Sequence, residues 1–132
     1  MAKTSKKTIK VVYNNNDQLA IKEVEAEKFD EVIIDNKIIK LYIHRSISNN
    51  KRWTITEEAT GRLLKDNFKN KIEARNQYEK DLKDRLIALI KNNYNIYLKA
   101  IKNFNNYTEY LSKVNYVLIQ LESIIIDYNK GE

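Results

Sequence analysis

An α+β fold is predicted by three observations. Apolar/polar alternation of period two is confined to residues 8–69, Asx and Gly turn signals separate the alternating runs, and from Asn70 the period changes to about 3.6. The first half reads as an N-terminal antiparallel β-meander of five or six strands. The second half reads as two long C-terminal α-helices.

Residues 1–7 are polar and basic without periodicity and read as a flexible tail. Thr8–Tyr13 reads as a strand ended by the turn cluster Asn14-Asn15-Asn16-Asp17, and Leu19–Ala26 as its hairpin partner. Val32–Ile34, the turn Asp35-Asn36 and Lys37–Ile43 form a second hairpin, because Asx residues tolerate the positive φ of a tight turn. A third joins Arg52–Thr56 to Arg62–Lys65, with Thr60-Gly61 at its bend. Alternation puts Trp53 and Ile55 on one face, with Arg52, Thr54 and Thr56 on the other.

Asn70 followed by Glu73 has the form of a capping box. The stripe Ile72, Tyr78, Leu82, Leu86, Leu89, Asn93, Ile96 extends the first helix toward Phe104, roughly 50 Å if unbroken. Either the cluster Asn92–Asn95 breaks it, or the helices project and find a partner. Asn106 with Glu109 repeats the cap pattern and starts a second helix, whose apolar seam is Val114, Val117, Leu118, Leu121, Ile124 and Ile125. That seam suits packing on the sheet, on the first helix or on a second copy of the chain, and homo-oligomerisation through it is expected.

With 132 residues, 42% hydrophobic and 32% charged, the chain reads as one folded domain, the sheet part at 8–69 and the helical part at 70–129. It has no Cys and no Pro, and its longest apolar run is the five residues Leu86–Ile90, so no disulfide framework or membrane span is expected. A cytoplasmic setting in a host bacterium fits best. No HExxH, GxSxG or P-loop pattern occurs, and one His without Cys is a poor start for a metal site. His44 is the sole candidate general base and reads more simply as a strand residue with a satisfied ring. Neither enzyme activity, a cofactor nor a metal is expected.

Charge is the stronger signal. Between Asn36 and Lys71 there are nine Lys/Arg against three Asp/Glu, together with the only Trp and the only His, within a chain of net charge +6. Arg45, Lys51, Arg52, Arg62, Lys65, Lys69 and Lys71 fall on neighbouring strands and turns. With Tyr42 or Trp53 as a stacking ring, and with His44 and Thr54, they form a candidate surface for an anionic partner. Seven of the nine tyrosines lie in the helical half, five of them at Tyr94, Tyr97, Tyr107, Tyr110 and Tyr116, where helix packing at ordinary spacing accounts for them more simply than a protein interface does.

The run Trp53-x-Ile-Thr-Glu-x-x-Thr-Gly-Arg, followed by Phe68-x-x-Lys-x-Glu-Ala, resembles the hairpin–helix module of the arm-binding domains of tyrosine recombinases, over about a quarter of the chain. The resemblance implies a sheet face that meets DNA through Arg52, Thr54, Arg62 and Lys65. The catalytic portion of such recombinases is absent, and the long helical tail departs from the arm domain. More broadly the chain is similar to small phage and mobile-element accessory proteins. That likeness implies a non-enzymatic counter-defence binder of the anti-CRISPR kind, acting on a host protein effector or an anionic nucleotide. The alternative is a DNA-binding accessory protein.

Overall fold

The computed structural model of the protein describes residues 6–15 and 18–109. Five strands, β1 (Lys6–Asn15), β2 (Gln18–Ile34), β3 (Lys37–Arg45), β4 (Trp53–Glu57) and β5 (Leu63–Phe68), form one antiparallel sheet in which each strand pairs with the next. Three helical segments follow: α1 (Lys71–Gln77), α2 (Lys83–Asn92) and α3 (94–109). This is the α+β architecture expected, an N-terminal meander with helices after it. Lys6 and Lys7 belong to β1 and not to a tail; Lys7 ion-pairs with Glu58 and lies over the Tyr42 ring.

The strands expected at Leu19–Ala26 and Val32–Ile34 are one strand, because no turn residue lies between them. An extra residue, Phe29, sits between the register pairs Lys28↔Tyr42 and Asp30↔Leu41. This bulge reverses the parity of the alternation. Ala26 therefore shares a face with Tyr42, while Val32 and Ile34 share the opposite face with Ile39 and Leu41. The hairpin between β2 and β3 turns on Asp35 (φ 47°) and Asn36 (φ 66°), the pair of positive φ values that a type I′ turn requires.

Both faces of the sheet are covered. On one, Ile39, Leu41, Ile43 and Ile55 pack with Phe68 and with Ala74, Tyr78, Leu86 and Ile90 of the helices. On the other, β1 curls across the sheet, burying Ile9 and Val11 against Ala26 and Tyr42. The Val12 N–H donates to the Gly61 carbonyl at 2.8 Å, tying β1 to the β4–β5 turn at one point without a ladder. The result is a barrel-like sheet left unzipped between β1 and β5.

Asn70 caps α1 by accepting the Glu73 N–H at 2.8 Å, and the Glu73 carboxylate reaches back to the Lys69 N–H at 2.6 Å. Tyr78–Leu82 is a π-helical turn joining α1 to α2. Its cause is legible in the buried spacing Ala74, Tyr78, Leu82, Leu86, Ile90. Four steps of four residues drift by about 160° on an α-helix, and the extra residue of a π turn removes much of that drift.

Asn93 leaves the helical region (φ −132°, ψ 37°) and ends α2, so of the two alternatives the break at the Asn cluster is the one formed, and the single 50 Å helix is not. Two expectations are corrected. Ile72, Leu89 and Ile96 are exposed and not on the buried stripe, which runs instead through Ala74 and Ile90. Asn105-Asn106 does not interrupt the chain; α3 runs through both residues, and the Thr108 hydroxyl donates to the Asn105 carbonyl at 2.9 Å. The seam Val114, Val117, Leu118, Leu121, Ile124 and Ile125 lies outside the described residues. Among those described, no helix is long and apolar enough to cross a membrane.

Candidate anionic-partner surface

Two cations of the Asn36–Lys71 stretch, Arg45 and Lys71, meet over one ring, Trp53. Trp53 opens β4 directly opposite Arg45 on β3, and antiparallel pairing puts both side chains on the same face. The Arg45 guanidinium sits 4.0 Å from the indole centroid, and the Lys71 ammonium, delivered by the start of α1, sits 4.7 Å from it. Lys71 is neutralised by Glu27 at 2.8 Å; Arg45 has no ion pair among the described residues.

The β3–β4 loop holds Lys51 and Arg52 at the same end. It closes through Ser46 N–H to the Arg52 carbonyl (3.0 Å) and Arg52 N–H to the Asn49 carbonyl (2.9 Å), and the Asn49 side chain accepts the Lys51 N–H at 3.1 Å. That Asx turn leaves Asn50 and Lys51 at the exposed tip. Lys69 is exposed beside the helix cap. Lys65 lies over Phe68 (5.7 Å) and donates to Gln77 at 2.6 Å.

Several expected site residues fall elsewhere. Arg62 follows the β4–β5 turn at the far end of the hairpin, about 13 Å along β4 from Trp53, and lines a groove with Val12 and with Lys99 and Phe104 of α3. Tyr42, His44 and Thr54 are buried, which removes them from a solvent-facing surface. Tyr42 is core against Ile9 and Val11, and the Trp53 face carries Arg45, so neither ring is a free stacking platform. The parity expected for β4 is present, but the face bearing Thr54 and Thr56 is closed over by β1.

Under that cover lies a polar network that sequence reasoning missed. His44 Nδ1–H donates to the Arg45 carbonyl at 2.8 Å, which leaves Nε2 to accept from the Thr56 hydroxyl at 2.7 Å. Burial lowers the His44 pKa below its ordinary value, opposed by the Arg45 carbonyl and by the charge of Asp66. Asp66 accepts from the Thr54 hydroxyl, from the Asn67 N–H at 2.7 Å and from Ser48 at 3.2 Å. Burial pushes its carboxyl up, but the Thr54 hydroxyl and the other donors outweigh that and hold it below the usual carboxylate range. No sequence motif marks Asp66; only its register within β5 brings it to Thr54.

A second buried acid, Glu57, organises the next turn by accepting the Ala59 N–H (2.5 Å), the Thr60 N–H (3.1 Å) and the Thr60 hydroxyl (2.8 Å). Burial raises its pKa in spite of these donors. The buried Tyr97 hydroxyl faces it without reaching good hydrogen-bond geometry, and burial together with the Glu57 charge pushes the phenol up. No group of three or more His, Asp or Glu among the described residues is placed to hold a metal ion. Comparison of the chain with protein-family models, with curated proteins and with solved structures returns no match.

Proposed function

We propose that the chain is a non-enzymatic binding protein whose β3–β4 end docks on an acidic surface of a partner protein. In the setting suggested by its likeness to small phage accessory proteins, that partner is a host-defence effector. The observation that carries this reading is Arg45 stacked on Trp53 without an ion pair among the described residues, at the end of the sheet where the β3–β4 loop carries Lys51 and Arg52 and the start of α1 follows Lys69. Arg45 is pre-stacked on the indole, so its guanidinium loses little freedom on meeting a carboxylate.

The alternative, a DNA-binding accessory protein using the sheet face, draws on the same cations. It is the weaker reading because Tyr42 and Thr54 are buried and Arg62 sits at the other end of the hairpin, which leaves contacts to phosphate without a base-reading face. The seam of the C-terminal residues remains a proposal for self-association.

The test uses immobilised wild-type chain and a Lys51→Glu, Lys69→Glu variant to capture proteins from bacterial lysate, with Trp53 emission reporting engagement of the surface. A partner retained by the wild type and lost from the variant supports the reading; equal capture by both removes it. In parallel, random duplex DNA is titrated at 50 and 200 mM salt. Binding that falls by orders of magnitude between the two, as several phosphate contacts dictate, would favour the DNA reading.

A further inference from the structure

The gap in the barrel-like sheet, where β1 and β5 approach without pairing, is a cleft of about 360 Å³. That is at the small end of the range for small-molecule sites. Its walls are largely apolar, with Val11 and Val12 on one side, Leu63 on the other and Ile47 from the β3–β4 loop. Its polar lining comes from Tyr13, Asn14, Ser48, Thr54, Thr56 and Asp66.

The charge balance of this lining is one-sided. None of the ion pairs of the described residues includes Asp66. Oδ1 is occupied by the Thr54 hydroxyl and the Asn67 N–H, whereas Oδ2 accepts the long Ser48 contact of 3.2 Å, and the Ser46 hydroxyl is also directed at the carboxylate. A carboxylate oxygen has room for a further donor, and a partly desolvated anion favours a cationic one. The Thr56 hydroxyl is committed as donor to His44 Nε2 and so presents only its lone pairs to the cleft. Asp66 is the only charged group of the lining.

We propose that the β1–β5 cleft binds an organic cation, an ammonium group on a compact apolar body, with the ammonium on Asp66 Oδ2 and the body between Val11 and Leu63. The site is independent of the cations beside Trp53, and a lining whose single charge is a carboxylate would repel the anions that those cations attract. One small fold would then hold two recognition surfaces of opposite charge preference.

The probe is phenethylammonium, with the isosteric neutral 2-phenylethanol and the anion phenylacetate as controls, titrated into the full chain and followed by backbone amide shifts. Expected are saturable shifts at Val11, Thr56 and Leu63, with the ammonium binding at least tenfold more tightly than the alcohol and phenylacetate not at all. Asp66→Asn should erase the preference for the ammonium over the alcohol. Because that variant also weakens the Thr54 contact, Leu63→Lys provides a second arm: Leu63 is half-exposed at the cleft, so a lysine there leaves the core intact and should weaken the ammonium more than the alcohol. Equal affinity for ammonium and alcohol, or ammonium binding unchanged in Leu63→Lys, overturns the proposal.

Discussion

The Tyr78 hydroxyl donates to Asp30 Oδ2 at 2.6 Å, joining the π-helical turn to the bulged stretch of β2. Two irregularities meet there, each caused by one extra residue. Phe29, the inserted strand residue, stacks on Tyr78 at 5.0 Å and lies under the Arg75 guanidinium at 3.8 Å, while Arg75 also donates to the Phe29 carbonyl at 2.9 Å. Lys83 completes the group 3.6 Å from Asp30. The bulge presents the carboxylate and the π turn brings the phenol to it, so each irregularity gives the other a reason to persist.

Tyr78→Phe tests that pairing. It keeps the ring and removes only the donor, so a loss of about 1–2 kcal/mol is expected in urea denaturation at pH 7. Asp30 has a pKa held below the ordinary carboxylate range: burial raises it, but the Tyr78 hydroxyl, the Glu31 N–H and Lys83 lower it further. A depressed folded pKa contributes stability above the unfolded value that is lost as pH falls through the folded one. Removing the hydroxyl weakens that contribution, so the Tyr78→Phe deficit should shrink at pH 2–3. An equal deficit at both pH values would mean that packing, not the hydrogen bond, was lost.

Much of the architecture was legible because it rests on local periodicity and turn chemistry: Asp35-Asn36, the Asn70 cap and the Asn93 break all act through their own backbone. What escaped was set by long-range register. The Phe29 bulge fused two expected strands, since nothing in Lys28-Phe29-Asp30 announces an extra residue. The curl of β1 reversed the meaning of the Thr54 face, because a strand covered on both sides alternates no differently from one that is half exposed. The candidate surface was legible in part. Arg45 and Lys71 both lie over Trp53, but Arg62 was near them in sequence and not in space.

His44 gives a pH signature of opposite sign to that of Glu57. Its folded pKa lies below the usual value, so the unfolded chain binds the extra proton first and stability falls as pH drops below about 6.5. Protonation would also give Nε2 a hydrogen facing the Thr56 hydroxyl, which must turn away. Glu57, with a raised folded pKa, works the other way, losing stability as pH climbs above its ordinary value. Between pH 7 and 5.5 His44 therefore pulls the thermal midpoint down while Glu57 pulls it up, so His44→Gln should remove the downward part of the wild-type slope while lowering the midpoint at pH 7. A slope unchanged by His44→Gln would assign it to other groups.

Arg45→Ala probes the stacked guanidinium. An exposed cation–π contact is worth about 0.5–1 kcal/mol, so the cost in stability should be small. The spectroscopic effect should be larger, because Trp53 is the only indole and loses its cover: a red-shifted emission and greater quenching by acrylamide are expected. Unchanged emission would mean that Lys71 and the neighbouring core set the environment of the ring by themselves.

Gly61 is the position where a single methyl group should do most harm. Its φ of +65° lies in the left-handed region, and a Cβ would come within 2.5 Å of Phe104 Cζ and 3.0 Å of the Lys10 carbonyl oxygen. The same residue accepts the Val12 N–H, so it is where β1, the β4–β5 turn and α3 meet. Gly61→Ala should cost about 2–3 kcal/mol, combining backbone strain with displacement of the Phe104 ring. The double change with Phe104→Ala separates the two. If the clash dominates, Gly61→Ala becomes nearly neutral in the Phe104→Ala background; if backbone strain dominates, the two costs add. Hydrogen exchange at the Val12 amide supplies the local readout, since it should accelerate in Gly61→Ala only if β1 lifts from the turn.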